Sequence, residues 1–285
     1  MSETNPVSRR SFLAASALAP LAASLPAWGS NGKVPVGLEL YSVRDDMKKD
    51  EMGTVRKVAG LGYACVEFFA TYFSWTPDHA KEMRKELDEL HVRCYSTHNG
   101  FESFDAANIG KAIEMNNTLG AHYVVLAHPG SAKTLDDWKR VADRLNAANQ
   151  TLEKHGLHAG YHNHDLEWHT VDGKLPLEVL ASNTDKSIML QLDVGTCVEA
   201  GGDPVAWITN HPGRIRSLHL KEWSPKLGYK ALFGEGVAPW TKIFAAAESV
   251  GGAEYYLIEQ EGSRFPEMET AERCLAAYRK LRGLS

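Results

Sequence analysis

The chain has 285 residues, 44% of them hydrophobic and 24% charged, with a formal net charge of −5. Such a balance predicts a globular protein with a substantial core and no strong charge of either sign. Outside the extreme N-terminus no Lys/Arg-rich run occurs, so the electrostatic footprint of a nucleic-acid binder is missing and small polar substrates fit better.

Taken from the start, Ser8-Arg9-Arg10-Ser11-Phe12-Leu13 precedes an apolar stretch from Ala14 to Leu25, with small residues around Ala27. This resembles a twin-arginine export signal, and its apolar part is too short to span a membrane as a helix. Residues 1–30 are expected to be removed, which takes away Arg9, Arg10 and Glu3 and moves the charge from −5 to −6. Residues 31–285 are expected to form one domain that leaves the cytoplasm, for the periplasm or beyond, through the twin-arginine export machinery, without stable membrane association once processed. That route carries folded cargo, which suits a protein that loads a metal first. The four cysteines, Cys65, Cys94, Cys197 and Cys274, have no metal-binding spacing and are too sparse for a disulfide framework. A bridge between Cys65 and Cys94 is conceivable, but buried single thiols fit better.

From Val34 onward apolar runs alternate with amphipathic ones. Val36 to Val43 reads as a strand and Asp45 to Leu61 as a helix closed by Gly62. Tyr63 to Phe69 is the second strand, followed by a helix from Pro77 to His91. Val92 to Thr97 is the third, followed by Asp105 to Leu119 as a helix closed by Gly120. His122 to Ala127 is the fourth, leading to a long helix from Leu135 to His155. Leu157 to His162 is the fifth, with a short helix from Leu175 to Ala181, and Ile188 to Asp193 is the sixth, with a helix from Pro204 to Asn210. Ile215 to Leu220 is the seventh, then come the Gly234-Glu235-Gly236 loop and a helix from Pro239 to Val250. Tyr255 to Glu259 is the eighth, and Glu267 to Leu281 closes the chain. Eight strand-helix units in roughly 250 residues predict an α/β fold, a closed (β/α)8 TIM barrel, rather than an open doubly wound sheet. No GxGxxG follows the first strand, which removes the main support for dinucleotide binding.

In a barrel of this kind chemistry gathers at the C-terminal strand ends. Those ends carry Glu39, Tyr41 and Arg44; Glu67; His98 and Asn99; His128; the stretch Gly160 to His169; Asp193; His219, Lys221 and Glu222; Glu259 and Glu261. Within the fifth, His162 and His164 share one face of an extended segment while Asn163 points the other way. The histidines of this stretch read equally well as a solvated polar loop. Imidazole and carboxylates converging from Asp193, His219 and Glu259, on three adjacent strands, make a site suited to Mn, Mg, Co or Zn.

LELYSVR, YACVEFF, YHNHDLEW, MLQLDVG, IRSLHLKEW, FGEGVAPW and YYLIEQE, in this order along the chain, resemble the sugar phosphate isomerase/epimerase family with the xylose isomerase-like barrel. The resemblance implies one divalent metal ion held by residues ending strands five to eight, usually Glu, Asp, His and Glu. Asp193, His219 and Glu259 match the last three. Where the common form has Glu-Asn-His, this chain has His162-Asn163-His164, so His162 takes the carboxylate's place as ligand, with His164 or Glu167 as the other candidates. Many relatives have a histidine three residues after the aspartate, where this chain has Thr196.

The resemblance further implies a sugar isomerase or epimerase that abstracts a proton next to a carbonyl, with Glu259 and His162 or His164 as acid and base. Glu39, Arg44, Glu67, His98, Glu167, Lys221 and Glu235 are then candidates for binding the carbohydrate substrate. A phosphorylated sugar does not suit an exported enzyme without a phosphate-cradling loop. The runner-up is a lyase that eliminates the aglycone of 3-keto-glycosides. An endonuclease-type metal phosphodiesterase and a non-catalytic sugar-binding barrel are the readings from other classes. Association into a homo-oligomer is left open.

Overall fold

A computed structural model describes residues 1 and 34–284. The stretch read from the sequence as an export signal lies outside the described residues. Eight parallel strands close into a barrel in sequence order. They are β1 (Val36–Glu39), β2 (Cys65–Phe68), β3 (Arg93–Asn99), β4 (Tyr123–Leu126), β5 (His158–His162), β6 (Met189–Asp193), β7 (Ser217–Leu220) and β8 (Tyr255–Ile258). Around them run α1 (Arg44–Lys49), α2 (Glu51–Leu61), α3 (Pro77–Glu89), α4 (Ile109–Leu119), α5 (Leu135–Leu152), α6 (Pro176–Asn183), α7 (Val194–Glu199), α8 (Pro204–Asn210), α9 (Trp240–Ala246) and α10 (Glu267–Arg282). Among the described residues no helix is long and apolar enough to cross a membrane.

Every strand expected from the sequence forms, shortened at one or both ends except the third, which runs two residues past the expected Thr97 to Asn99. The expected first strand stops at Glu39, where the carboxylate accepts the Tyr41 N–H and starts a 3-10 turn over Leu40–Val43. The helix expected from Asp45 to Leu61 is two helices, because Asp50 is extended and its side chain caps α2 through the Gly53 N–H. At the end of α2, Gly62 sits at φ +94°, a left-handed conformation open to glycine, and turns the chain into β2. One helix was not expected: α7, which the Asp193 side chain caps directly after β6.

Outward-facing strand residues such as Val66, Val124, Leu190, Leu192 and Leu218 pack against the helices in one continuous core. Inside the barrel, Cys65, Tyr123, Val125, Met189, Tyr255 and Leu257 fill the lower layers, with Tyr95 against them. At Gly37 an added Cβ would lie 2.4 Å from the carbonyl oxygen of Cys65, so only glycine permits that approach of β1 to β2. Above this apolar plug the inner faces turn polar. Register sets Glu39 beside Glu67, His162 beside Gln191 and Asp193 beside His219. The pairing of β2 with β3 shifts by one residue between Val66 and Phe68. The extra β3 residue lets Tyr95 join the plug while Ser96 reaches Glu67. All four cysteines are free and buried, Cys65 and Cys94 included.

Glu222, two residues beyond β7, fixes the following loop. It is buried, and its carboxylate accepts from the backbone N–H groups of Trp223, Gly234 and Ala238 and from Trp240 Nε1 at 2.6 Å. Glu222→Ala would strand those donors, and a buried donor left unmade costs about 1–3 kcal/mol. A lowered melting temperature, read by circular dichroism with the fold retained, is the expected outcome.

Candidate functional site

Four side chains at the ends of adjacent strands approach one another at the open end of the barrel. Asp193 is wholly buried; capping of α7 occupies Oδ1, which accepts the Thr196 N–H at 3.0 Å. Oδ2 has no hydrogen-bond partner. His162 Nε2 stands 3.8 Å from that oxygen and Lys221 Nζ 3.5 Å. Donor atoms of His162, Asp193 and Glu259 all lie within 4.8 Å of one another. His219 joins from β7, with Nδ1 2.7 Å from Glu259 Oε2 and Nε2 2.8 Å from Glu67 Oε2. Asn163 turns the other way, as alternation along β5 predicts. Its oxygen accepts the Asp193 N–H and its amide donates to the Thr196 hydroxyl, each at 3.0 Å, which ties β5 to β6 at the site.

Electrostatics follow from how these groups face one another in a space shielded from water. Burial lowers the His219 pKa, but Glu259 and Glu67 on its two ring nitrogens outweigh it and carry it up to about 10. Burial likewise raises Glu67, yet His98 and His219 hold it at about 2. Glu259 is held well below the usual carboxylate range, because Lys221 and His219 overcome its burial. Lys221 is pushed up: desolvation opposes its charge, but Glu259, Asp193 and Glu261 surround it. Burial and the neighbouring imidazoles His219, His98 and His164, with Lys221, keep His162 well below the ordinary histidine value. Burial raises Asp193 and Glu39, the latter helped by Glu67 beside it.

A cavity of about 370 Å³ opens over this group. Of the residues singled out from the sequence, Glu39, Tyr41, His98, Asn99, His128, His162, His164, Glu259 and Glu261 line it, joined by Phe69. Glu67 lies beneath it. Lys221 is buried among Asp193, Glu259 and Glu261, and donates to Glu261. Arg44 sits at the rim, where its guanidinium donates to the backbone oxygens of Tyr41 and Glu261. Two others are not in the cavity wall. Glu167 is buried with both oxygens engaged, by the Tyr161 hydroxyl and the His164 N–H. Glu235 pairs with Arg264 and borders a separate groove between α9 and α10. Gln191 was not singled out at all. It accepts from His98 Nε2 at 2.7 Å and lies 3.1 Å from His162 Nδ1. Its position two residues before Asp193, on the same inward face, was the available signal.

The donor set fits a divalent cation. His162 and Glu259 meet Asp193 at an oxygen that has no hydrogen-bond partner, with His219 hydrogen-bonded to Glu259 beside them, and a cation is a partner such an oxygen can take.

The family model for xylose isomerase-like TIM barrels matches residues 55–281. Inosose dehydratase of Clostridium beijerinckii is 34% identical over 89 residues, covering 30% of this chain and 29% of that protein. A sugar phosphate isomerase/epimerase from Parabacteroides distasonis, known from a crystal structure, is 26% identical with a TM-score of 0.73, covering 88% of this chain and 97% of that one. The IOLI protein, solved with a bound zinc atom, shares the fold at 13% identity and a TM-score of 0.68, covering 87% of this chain and 97% of that one.

Since the folded pKa of His219 lies above the ordinary 6.5, its pairing adds stability that is complete below pH 6.5 and lost as pH rises through about 10. Metal-stripped protein is therefore expected to lose melting temperature across that window. His219→Gln, which cannot titrate, should flatten the slope when both are melted side by side from pH 6 to 10.

Proposed function

Since the chain belongs to the xylose isomerase-like TIM barrel family, we propose that it is a metal-dependent enzyme that abstracts a proton next to a carbonyl on a non-phosphorylated sugar or sugar derivative, and returns it to isomerise or epimerise the substrate. The observation that carries this reading is the pairing, in one cavity wall, of an ionised carboxylate and an uncharged imidazole, Glu259 and His162, within 4.8 Å of each other and of Asp193.

In this reading His162, Asp193, His219 and Glu259 hold the ion. When bound, it supplies Lewis acidity to neighbouring substrate oxygens. Glu259 is ionised at neutral pH and takes the proton; giving it back to the neighbouring carbon isomerises the substrate, while His164, lining the same cavity, offers a second imidazole for the proton return that epimerisation needs. His98 orients hydroxyl groups from the floor. Glu39, kept largely protonated by burial, can donate a hydrogen bond to a substrate oxygen. Beneath them, Lys221 stays charged and limits the repulsion among the carboxylates.

Charge also argues for a sugar without phosphate. Glu39, Glu259 and Glu261 line the cavity, and among its described lining residues there is no lysine or arginine. The nearest ammonium, on Lys221, is already claimed by three carboxylates. An export signal at Arg9-Arg10 agrees with this, because phosphorylated sugars are cytoplasmic currency; we propose a location outside the cytoplasm on that ground.

A second reading is elimination, in which the abstracted proton is followed by loss of a β-leaving group. The Clostridium relative is a dehydratase by name, and His164, which lines the cavity beside His162, offers an imidazole to hand a proton to a departing oxygen.

Incubation of the metal-loaded protein with ketoses and 3-keto-glycosides in deuterium oxide tests both. Deuterium next to the carbonyl in recovered substrate or isomer supports isomerisation, and release of aglycone or water supports elimination. Glu259→Gln should slow either by roughly 10²–10⁴-fold. Absence of both exchange and release with every divalent ion supplied would rule out proton abstraction.

A further inference from the structure

We propose that Glu67 and Gln191 are positioning residues that fix the tautomers of the two histidines, so that His219 offers Nδ1 and His162 offers Nε2 to a metal. The inference rests on the metal-binding reading above and adds to it which residues aim the donors. An imidazole gives its lone pair from the nitrogen that lacks a hydrogen, and the partner of the other nitrogen decides which one that is.

Glu67 decides it for His219. Its Oε2 lies 2.8 Å from Nε2 and Glu259 Oε2 lies 2.7 Å from Nδ1, so without a metal the ring carries a hydrogen toward each carboxylate; once Glu259 turns to a metal, Glu67, which can only accept and is outside the proposed ligand set, keeps the hydrogen on Nε2 and leaves Nδ1 as the donor nitrogen. Gln191 decides it for His162, with Oε1 3.1 Å from Nδ1. Whether an amide presents oxygen or nitrogen there follows from its other end. The Gln191 amide nitrogen lies 3.1 Å from Glu67 Oε1 and 3.4 Å from the Ser217 hydroxyl. Turned over, the amide would set oxygen against the Glu67 carboxylate, so Oε1 must face the histidines. His162 therefore carries its hydrogen on Nδ1, which leaves Nε2 open toward the unpartnered Asp193 oxygen.

Both residues are suited to positioning rather than to substrate. Glu67 and Gln191 are fully or almost fully buried, and neither lines the cavity. They sit on the inward faces of β2 and β6, alternate strands of the kind that share a layer inside a TM barrel of this type, and their mutual hydrogen bond spans the barrel beneath the donors. Ser96 holds the remaining Glu67 lone pair. Gln191 matters because His162 does: a carboxylate at that position needs no tautomer, whereas an imidazole does, and an amide oxygen fixes it without adding charge.

The test titrates chelator-stripped full-length protein with zinc and follows the histidine ring nitrogens by ¹⁵N NMR, with His162→Asn and His219→Asn used to assign the two rings. In zinc-loaded wild type the two rings should show opposite tautomers. Gln191→Leu should weaken zinc binding by roughly 10–100-fold and disturb the His162 signal while leaving that of His219. Glu67→Leu should disturb both, and Glu67→Gln, which keeps an accepting oxygen, should recover much of the affinity. If wild type binds zinc and the leucine variants, folded by circular dichroism, bind it as tightly with unchanged ring signals, the inference is overturned. If wild type itself binds none, the metal reading fails instead. Should Gln191→Leu not fold, Ser217→Ala, which removes the longer of the two contacts of the Gln191 amide nitrogen and leaves that to Glu67, carries the same expectation in weaker form.

Discussion

Glu39, Glu67, Asp193 and Glu259 are all buried above an apolar plug of tyrosine, valine, leucine and methionine. Taking an ionised group out of water costs several kcal/mol unless opposite charge or hydrogen bonds replace the lost hydration. Replacement comes from neighbouring strands rather than from solvent. β7 contributes His219 between Glu67 and Glu259, and just beyond it Lys221 stands among Asp193, Glu259 and Glu261. Glu39 escapes the cost by keeping its proton. Two of these carboxylate oxygens have no hydrogen bond, Glu39 Oε2 and Asp193 Oδ2; at Asp193 the capping of α7 spends the other oxygen on the backbone and leaves this one facing His162 and Lys221. The helix that the sequence did not announce thus orients the carboxylate on which the site converges.

Much of this was legible in the chain. Apolar runs of four to eight residues ending in polar ones located all eight strands, and the rule that barrel chemistry gathers at those ends selected Asp193, His219 and Glu259 without any coordinates. Strand ends were less legible, since a side chain such as Glu39 both belongs to the strand and caps the turn that stops it. Partners across the barrel were hidden. Glu67 stood out as a charge in an apolar strand, but that it meets His219 from β7 and Ser96 from a bulged β3 depends on closure and register, which no single segment encodes. Gln191 in MLQLD looked like an ordinary polar break in a buried strand. Glu167 and Glu235 were read as substrate contacts because they follow strands five and seven. Local folding engages both elsewhere: a 3-10 turn brings Glu167 back onto Tyr161, and the loop anchored by Glu222 carries Glu235 out to Arg264.

If the proposed ligand set holds, the departure from the family pattern, His162 for a carboxylate, changes the charge of the donors. Two carboxylates and two neutral imidazoles balance a divalent ion, whereas three carboxylates and one imidazole leave a negative charge. A neutral set draws less on Lys221 and is weaker for hard ions such as magnesium, since imidazole favours borderline metals while carboxylate suits magnesium and manganese. It also alters the proton chemistry. A carboxylate ligand on β5 would repel Asp193 and Glu259 as well as hold metal, and burial would drive it toward protonation, as it does Glu39. An imidazole kept neutral by burial and by its neighbours can hold a metal without adding to that repulsion. In the proposed ligand set this one position bears on metal preference and on the charge around the ion, and the Gln191 amide beneath it is what would give the imidazole its direction.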